Sequence, residues 1–140
     1  MDIQLKDKII IVSGGARGIG AGIVKALTEN TTIPVIIGRN DQETETGTPH
    51  FVAELTDPAQ CESTVKAVIE KYGRIDGLVN NAGVNDGVGL ENGTYEQFIA
   101  SLHKNLVHYD LLAHYALPEL KKTKGSIVNI SSKVAETGQG

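Results

Sequence analysis

Short apolar runs alternate along the chain with longer segments in which apolar residues recur at helical spacing. The first run, Ile9–Val12, is followed by a cluster of glycines and then by the periodic apolar positions Ile23, Val24 and Leu27. That order predicts a buried strand, a tight turn and a helix. Backbone N–H groups at the start of such a helix have no partner within it, so this turn is a candidate phosphate site.

The same alternation continues to the end of the chain. Polar segments without helical periodicity are predicted as loops at Arg39–Pro49 and Val84–Gly93. Four further strands are predicted at Ile33–Ile37, His50–Leu55, Ile75–Val79 and Ser126–Ile130.

Two more helices are predicted from their end signals. One has Asp57 as its N-cap, Pro58 at its first position and Gly73 as its end. The other begins at Thr94 and runs as one long helix, with Pro118 near its end and positive charge at its C-terminal side from Lys121, Lys122 and Lys124.

Each predicted strand is a continuous apolar run, which is typical of a parallel sheet covered by helices on both faces. We therefore predict one α/β domain over residues 1–140: a doubly wound, Rossmann-like parallel sheet in three αβα layers. Residues 131–140 are small and polar and add no closing helix. We expect the sheet to be incomplete at this C-terminal side.

Composition narrows the classes of partner. A net charge of −4 without a basic run argues against nucleic acid, and Cys61 is the single cysteine. The N-terminus lacks the apolar core of a signal peptide, and no apolar run reaches the roughly 18 residues of a membrane helix. We expect a cytoplasmic protein with no membrane partner.

The glycine cluster is the first candidate for chemistry. It reads Ser13-Gly-Gly-Ala-Arg-Gly-Ile-Gly20, which does not match G-x-G-x-x-G and lacks the Lys-Ser/Thr of a nucleoside triphosphatase P-loop. Taken alone, it is equally well a plain turn that joins a strand to a helix.

Three later motifs change that reading. Asn80-Asn-Ala-Gly83 follows the fourth strand, Asn105 lies within the long helix, and Val128-Asn-Ile-Ser-Ser132 ends the fifth strand. With the glycine cluster, they resemble the short-chain dehydrogenase/reductase family. The resemblance implies an oxidoreductase that transfers a hydride between an alcohol and NAD(P).

The residues around these motifs narrow the resemblance further. The segments Asn81–Leu90, His108-Tyr109, His114-Tyr115 and Asn129–Gly140 look like the L-fucose dehydrogenase type, whose members oxidise the anomeric hydroxyl of an aldose. Two alternatives are a carbonyl or 3-ketoacyl reductase of the same family and a nucleotide-binding module without catalysis.

The resemblance also implies which residues hold the dinucleotide. Glu54 and Leu55 match the pair that contacts adenine, although the family usually has Asp or Asn in the place of Glu54. The full predicted set is Gly14, Gly15, Ala16, Arg17, Gly18, Ile19, Gly20, Arg39, Glu54, Leu55, Asn81, Ala82, Gly83 and Ile130.

Cofactor choice depends on charge at the end of the second strand. An acidic residue there would bind the ribose 2′-OH of NAD, whereas this chain has Arg39, with Arg17 in the glycine turn. Guanidinium groups suit a 2′-phosphate, so we predict NADP, with NAD as the alternative. The plain interpretation of Arg39 is a solvated loop residue.

For catalysis, the resemblance implies that Ser132, with Ser131 as competitor, contacts the reacting oxygen and that Asn105 holds a relay water. The family's general base belongs to a Tyr-x-x-x-Lys pair, and none of the four tyrosines here has a lysine four residues later. The chain ends eight residues past Ser132. We expect little or no dehydrogenase activity from this polypeptide alone.

The remaining signals are weak. The four histidines lack metal-ligand spacing, so no metal is expected. In the family the long helix commonly packs against a second subunit, which makes Leu111, Leu112 and Tyr115 either part of a homodimer or homotetramer contact or a plain core stripe.

Overall fold

A computed structural model describes residues 4–39 and 47–137. Its strands are β1 (Ile9–Ser13), β2 (Ile33–Gly38), β3 (His50–Val52), β4 (Gly77–Asn80) and β5 (Ser126–Asn129). They form one parallel sheet of order β3-β2-β1-β4-β5, which confirms the doubly wound α/β fold. The strand order reverses at β1, and ligands of such sheets bind at the carboxyl ends of the strands beside that reversal.

The helices are α1 (Gly18–Glu29), α2 (Pro58–Tyr72), α3 (Tyr95–Leu102), α4 (His108–Thr123) and the short α5 (Val134–Thr137). Helices α2 and α4 cover one face of the sheet, where Ile11, Val35, Val65 and Leu78 are buried in the larger core. Helix α1 covers the other face over a smaller core that contains Val12, Val24 and Ile36. None of these helices is long and apolar enough to span a membrane.

The predicted end signals of the helices are confirmed. Asp57 accepts the Ala59 N–H at 3.0 Å, and Gly73 ends α2 in the left-handed conformation. Thr94 and Gln97 form a reciprocal capping box at the start of α3. These local rules need no tertiary contact to act, which is why they are readable from the sequence.

The predicted long helix runs from Tyr95 to Thr123 but is not a regular α-helix throughout. A π-helical segment, His103–Val107, separates α3 from α4. Within it, the Asn105 side chain donates to the Ser101 carbonyl at 3.0 Å, and this side-chain bond competes with the regular backbone ladder. Helix α4 then continues past Pro118 to Thr123, so the proline lies inside the helix.

Three further differences concern the strands and the end of the chain. β3 ends at Val52 instead of Leu55, because the Glu54 N–H turns to the Gln60 side chain at 2.8 Å. β5 is exposed along its length, so the expectation of helices over both faces fails at this edge. Residues 134–137 form a short helix that the polar composition did not predict, and most of the predicted loop, residues 40–46, lies outside the described residues.

Of the two interpretations of the apolar stripe on this helix, the core stripe is correct for Leu112, a residue of α4 whose side chain is completely buried. Leu111 and Tyr115 are partly buried against the same core. Homo-oligomer formation stays a prediction.

The amino ends of β1 and β4 are joined by one buried carboxylate. Asp76 accepts the Ile9 N–H at 3.0 Å and two guanidinium hydrogen bonds from Arg74 at 2.8 and 2.6 Å. Burial alone would raise the pKa of Asp76, but these donors and the charges of Arg74 and Lys8 lower it below its usual range. This clamp lies at the opposite end of the strands from their carboxyl termini.

Candidate functional site

A cavity of about 1050 Å³ lies at the carboxyl ends of β1, β2 and β4. It is bounded by the glycine turn, the end of β2, the segment after β3, the loop after β4 and the start of α4. Its lining residues are Gly14, Ala16, Arg17, Gly18, Ile19, Ile36, Gly38, Arg39, His50, Glu54, Leu55, Thr56, Asn81, Ala82, Gly83, Val84, Asn85, Asp86, Lys104 and His108. Most of the residues predicted for the dinucleotide are therefore brought together here.

The start of α1 opens onto this cavity without a capping side chain. Arg17 occupies the N-cap position but its side chain makes no capping hydrogen bond, and the first helical bond runs from the Ala21 N–H to the Arg17 carbonyl at 3.2 Å. The N–H groups of Gly18 and Ile19 come before that of Ala21 in the helix, and both residues line the cavity. Uncapped amides at the positive end of a helix form an anion site.

The glycines of the turn have different roles. Gly14 has a φ of +67°, and a Cβ there would lie 2.8 Å from the Ala82 Cα. Gly15 and Gly20 are buried beneath the turn and do not line the cavity. A Cβ on Gly20 would lie 2.2 Å from the Gly14 carbonyl oxygen, so this glycine allows α1 to approach the turn.

The ends of β1 and β4 are tied together below the cavity. The Ser13 hydroxyl oxygen accepts the N–H groups of Asn81 at 3.0 Å and Ala82 at 3.1 Å. The Asn81 side chain donates in return to the Ser13 and Gly14 carbonyls, both at 3.1 Å. Ser13 was missing from the predicted site residues; its position directly before the first glycine of the turn is the signal that could have identified it.

Two cations line the cavity, Arg17 in the glycine turn and Arg39 directly after β2. Arg17 and Arg39 are exposed, and neither forms an ion pair with another of the described residues. Glu54 is engaged locally, because its carboxylate accepts the Thr56 hydroxyl at 3.1 Å. Leu55 is buried and forms an apolar part of the cavity wall.

The predicted catalytic residues do not line the cavity. Asn105 accepts the Val84 N–H at 2.7 Å and so ties the loop after β4 to the π-helical segment. Ser132 is exposed, and its hydroxyl oxygen accepts the Val134 N–H at 3.3 Å. Ile130 donates its N–H to the Asn80 carbonyl at 2.9 Å and packs against the smaller core. The described residues thus assemble the cavity without bringing Ser132 into its lining.

Comparison with known proteins decides the family. The family model described as short chain dehydrogenase matches residues 8–140. The chain belongs to the short-chain dehydrogenase family.

Three similar proteins are informative. L-fucose dehydrogenase of Bos taurus is 36% identical over 99% of this chain and 54% of its own length. The crystal structure of Cj0485 dehydrogenase is 40% identical with a TM-score of 0.94, over all of this chain and 57% of the other. Ligand-free aldohexose dehydrogenase of Thermoplasma acidophilum is 29% identical with a TM-score of 0.86, over 91% of this chain and 50% of the other. The chain spans about half the length of the curated relatives it matches.

Three polar residues of the cavity wall were not among the predicted site residues. His50 Nε2, Asp86 Oδ2 and His108 Nδ1 are buried atoms without a hydrogen-bond partner among the described residues, and all three side chains belong to the lining. Burial lowers the pKa of His108, although its bond to the Lys104 carbonyl and the charge of Glu54 act in the opposite direction. The described residues contain no cluster of metal-ligating side chains.

Proposed function

We propose that this chain binds a nicotinamide dinucleotide, preferentially NADP, in the cavity at the carboxyl end of the sheet. The observation that carries the proposal is the uncapped start of α1, which opens onto the cavity beside the switch point of strand order. The pyrophosphate would lie against the amides of Gly18 and Ile19, and the loop formed by Asn81, Ala82 and Gly83 would line the other side.

The binding step can be tested separately from folding at Ile19, whose side chain is 68% exposed in the first turn of α1. Ile19→Glu places a negative charge beside the proposed pyrophosphate, and we expect the Kd for NADP to rise by about tenfold or more. The same charge at a helix N-terminus should stabilise the fold by about 0.5 kcal/mol. Isothermal titration calorimetry and thermal unfolding measure the two effects.

The control for this experiment is Ile19→Gln, which removes the same apolar side chain without adding charge. It should bind NADP nearly as tightly as the unmodified chain. Equal NADP affinity in Ile19→Glu and Ile19→Gln would contradict a pyrophosphate at this helix terminus.

The preference for NADP rests on Arg39, which lines the cavity directly after β2. We expect Arg39→Asp to raise the Kd for NADP by about tenfold or more, because a bidentate guanidinium–phosphate contact is replaced by repulsion. The Kd for NAD should fall, since the new carboxylate accepts from the ribose 2′-OH. Calorimetric titration with both cofactors measures the reversal.

Lys25→Asp is the matched control because it makes the same change in net charge on the exposed side of α1, away from the cavity lining. It should leave the ratio of NADP to NAD affinity unchanged. An unchanged ratio in Arg39→Asp would mean that Arg39 is a solvated loop residue.

We further propose that the bound cofactor serves hydride transfer to or from a secondary alcohol or the anomeric hydroxyl of an L-fucose-like aldose. Support comes from the names of two relatives, an L-fucose dehydrogenase and an aldohexose dehydrogenase. Within the 140 residues no Tyr-x-x-x-Lys pair is present to act as general base. We therefore expect this polypeptide to bind the cofactor with little or no turnover, and an assay of reduced NADP formation with L-fucose tests that expectation.

A further inference from the structure

The ring of His108 is part of the cavity wall at the start of α4. The residue is 1% exposed and belongs to the cavity lining. A histidine this deeply buried is expected to have a hydrogen-bond partner for each ring nitrogen, because an unsatisfied buried polar atom is costly. Only one of its two nitrogens has such a partner among the described residues.

That partner determines the tautomer of the ring. Nε2 lies 2.8 Å from the Lys104 carbonyl oxygen. A carbonyl oxygen only accepts, so Nε2 carries the hydrogen. Burial lowers the pKa of His108 and favours the neutral ring. Nδ1 is then left with a lone pair and requires a donor.

The position of the His108 ring indicates which part of a bound dinucleotide it would contact. With the pyrophosphate at α1, the adenosine ribose would lie at the carboxyl end of β2, beside Arg39. The base beyond that ribose would reach the part of the cavity that is lined by Glu54 and Leu55. His108 lines the same cavity as Glu54 and Leu55, and the charge of Glu54 acts on its ring.

We infer that Nδ1 of His108 accepts a hydrogen bond from the 6-amino group of adenine and thereby selects adenine dinucleotides. The inference rests on the proposed function, since it assigns one contact within the same cavity. Hypoxanthine carries an oxo group in place of the amino group. Its oxygen would face the Nδ1 lone pair, and two acceptors cannot form a hydrogen bond.

The test compares NADP with nicotinamide hypoxanthine dinucleotide phosphate by isothermal titration calorimetry. The unmodified chain should bind the adenine form about tenfold more tightly. His108→Phe removes the acceptor, and the ratio of the two Kd values should fall to near one. His108→Asn retains an acceptor, because Oδ1 of asparagine takes the place of Nδ1, and should keep most of the ratio. His114→Phe, at an exposed position of the same helix, should leave the ratio unchanged.

Each contrary outcome has a distinct meaning. Equal affinities of the unmodified chain for the two dinucleotides overturn the assignment of His108 and leave the proposed function intact. A full ratio in His108→Phe also overturns it and assigns the discrimination to another acceptor such as Glu54. A lost ratio in a folded His108→Asn overturns it as well, because the imidazole would then act through its shape and not as an acceptor. Failure of both dinucleotides to bind at millimolar concentration overturns the proposed function together with this inference. Circular dichroism verifies the fold of each variant.

Discussion

Gly20→Ala is expected to destabilise the chain by roughly 3 kcal/mol and to weaken NADP binding by more than about tenfold. The added Cβ would lie 2.2 Å from the Gly14 carbonyl oxygen and 2.6 Å from the Asn81 Nδ2. Both atoms belong to the network that ties β1 to β4, so α1 must move away from the turn. That displacement shifts the amides of the first helical turn away from the proposed pyrophosphate. Urea unfolding and calorimetric titration at low temperature measure the two losses.

Gly22→Ala is the matched control, because it lies in the same helix and a Cβ there meets no atom within 4 Å. Replacing a glycine inside a helix by alanine should stabilise the chain by about 0.5 to 1 kcal/mol. NADP affinity should not change. A Gly20→Ala variant as stable as Gly22→Ala would contradict the close packing of α1 against the turn.

The fold was predictable because its signals are local. Each strand is a run of apolar residues, and the caps at Asp57, Gly73 and Thr94 are short motifs with a direct physical cause. The solvent exposure of β5 was not predictable from such local signals. An apolar run indicates that a strand is buried, but it carries no information on which strand stands at the edge of the sheet.

The missed features of the site depend on contacts between distant residues. The Ser13 hydroxyl binds amides 68 and 69 residues away, and Asn105 interrupts the helix where it binds Val84, 21 residues before it. Glycine spacing predicted one binding turn, whereas the fold divides the glycines between the cavity lining and helix packing. The wall position of His108 also appears only when the start of α4 packs beside the carboxyl end of the sheet.

Asp76→Asn is expected to cost about 2 kcal/mol of unfolding free energy, because it removes charge-assisted hydrogen bonds from a buried carboxylate. Asp76 is 6% exposed and accepts from both Arg74 and the Ile9 N–H. The clamp is remote from the cavity, so the folded variant should bind NADP with unchanged affinity. Glu62→Gln is the control: it breaks the exposed Lys66–Glu62 pair, and we expect no measurable change in stability.

The pH dependence of this loss identifies its source. The pKa of Asp76 is lowered in the folded chain, whereas an aspartate in the unfolded chain has a pKa of about 4. The charged clamp therefore contributes its full stability above about pH 4 and loses it as the pH falls through the folded value. The difference in unfolding free energy between the unmodified chain and Asp76→Asn should be constant near neutral pH and shrink in acid. A difference that persists undiminished to about pH 2 would mean that the shape of the side chain, rather than its charge, holds β1 to β4.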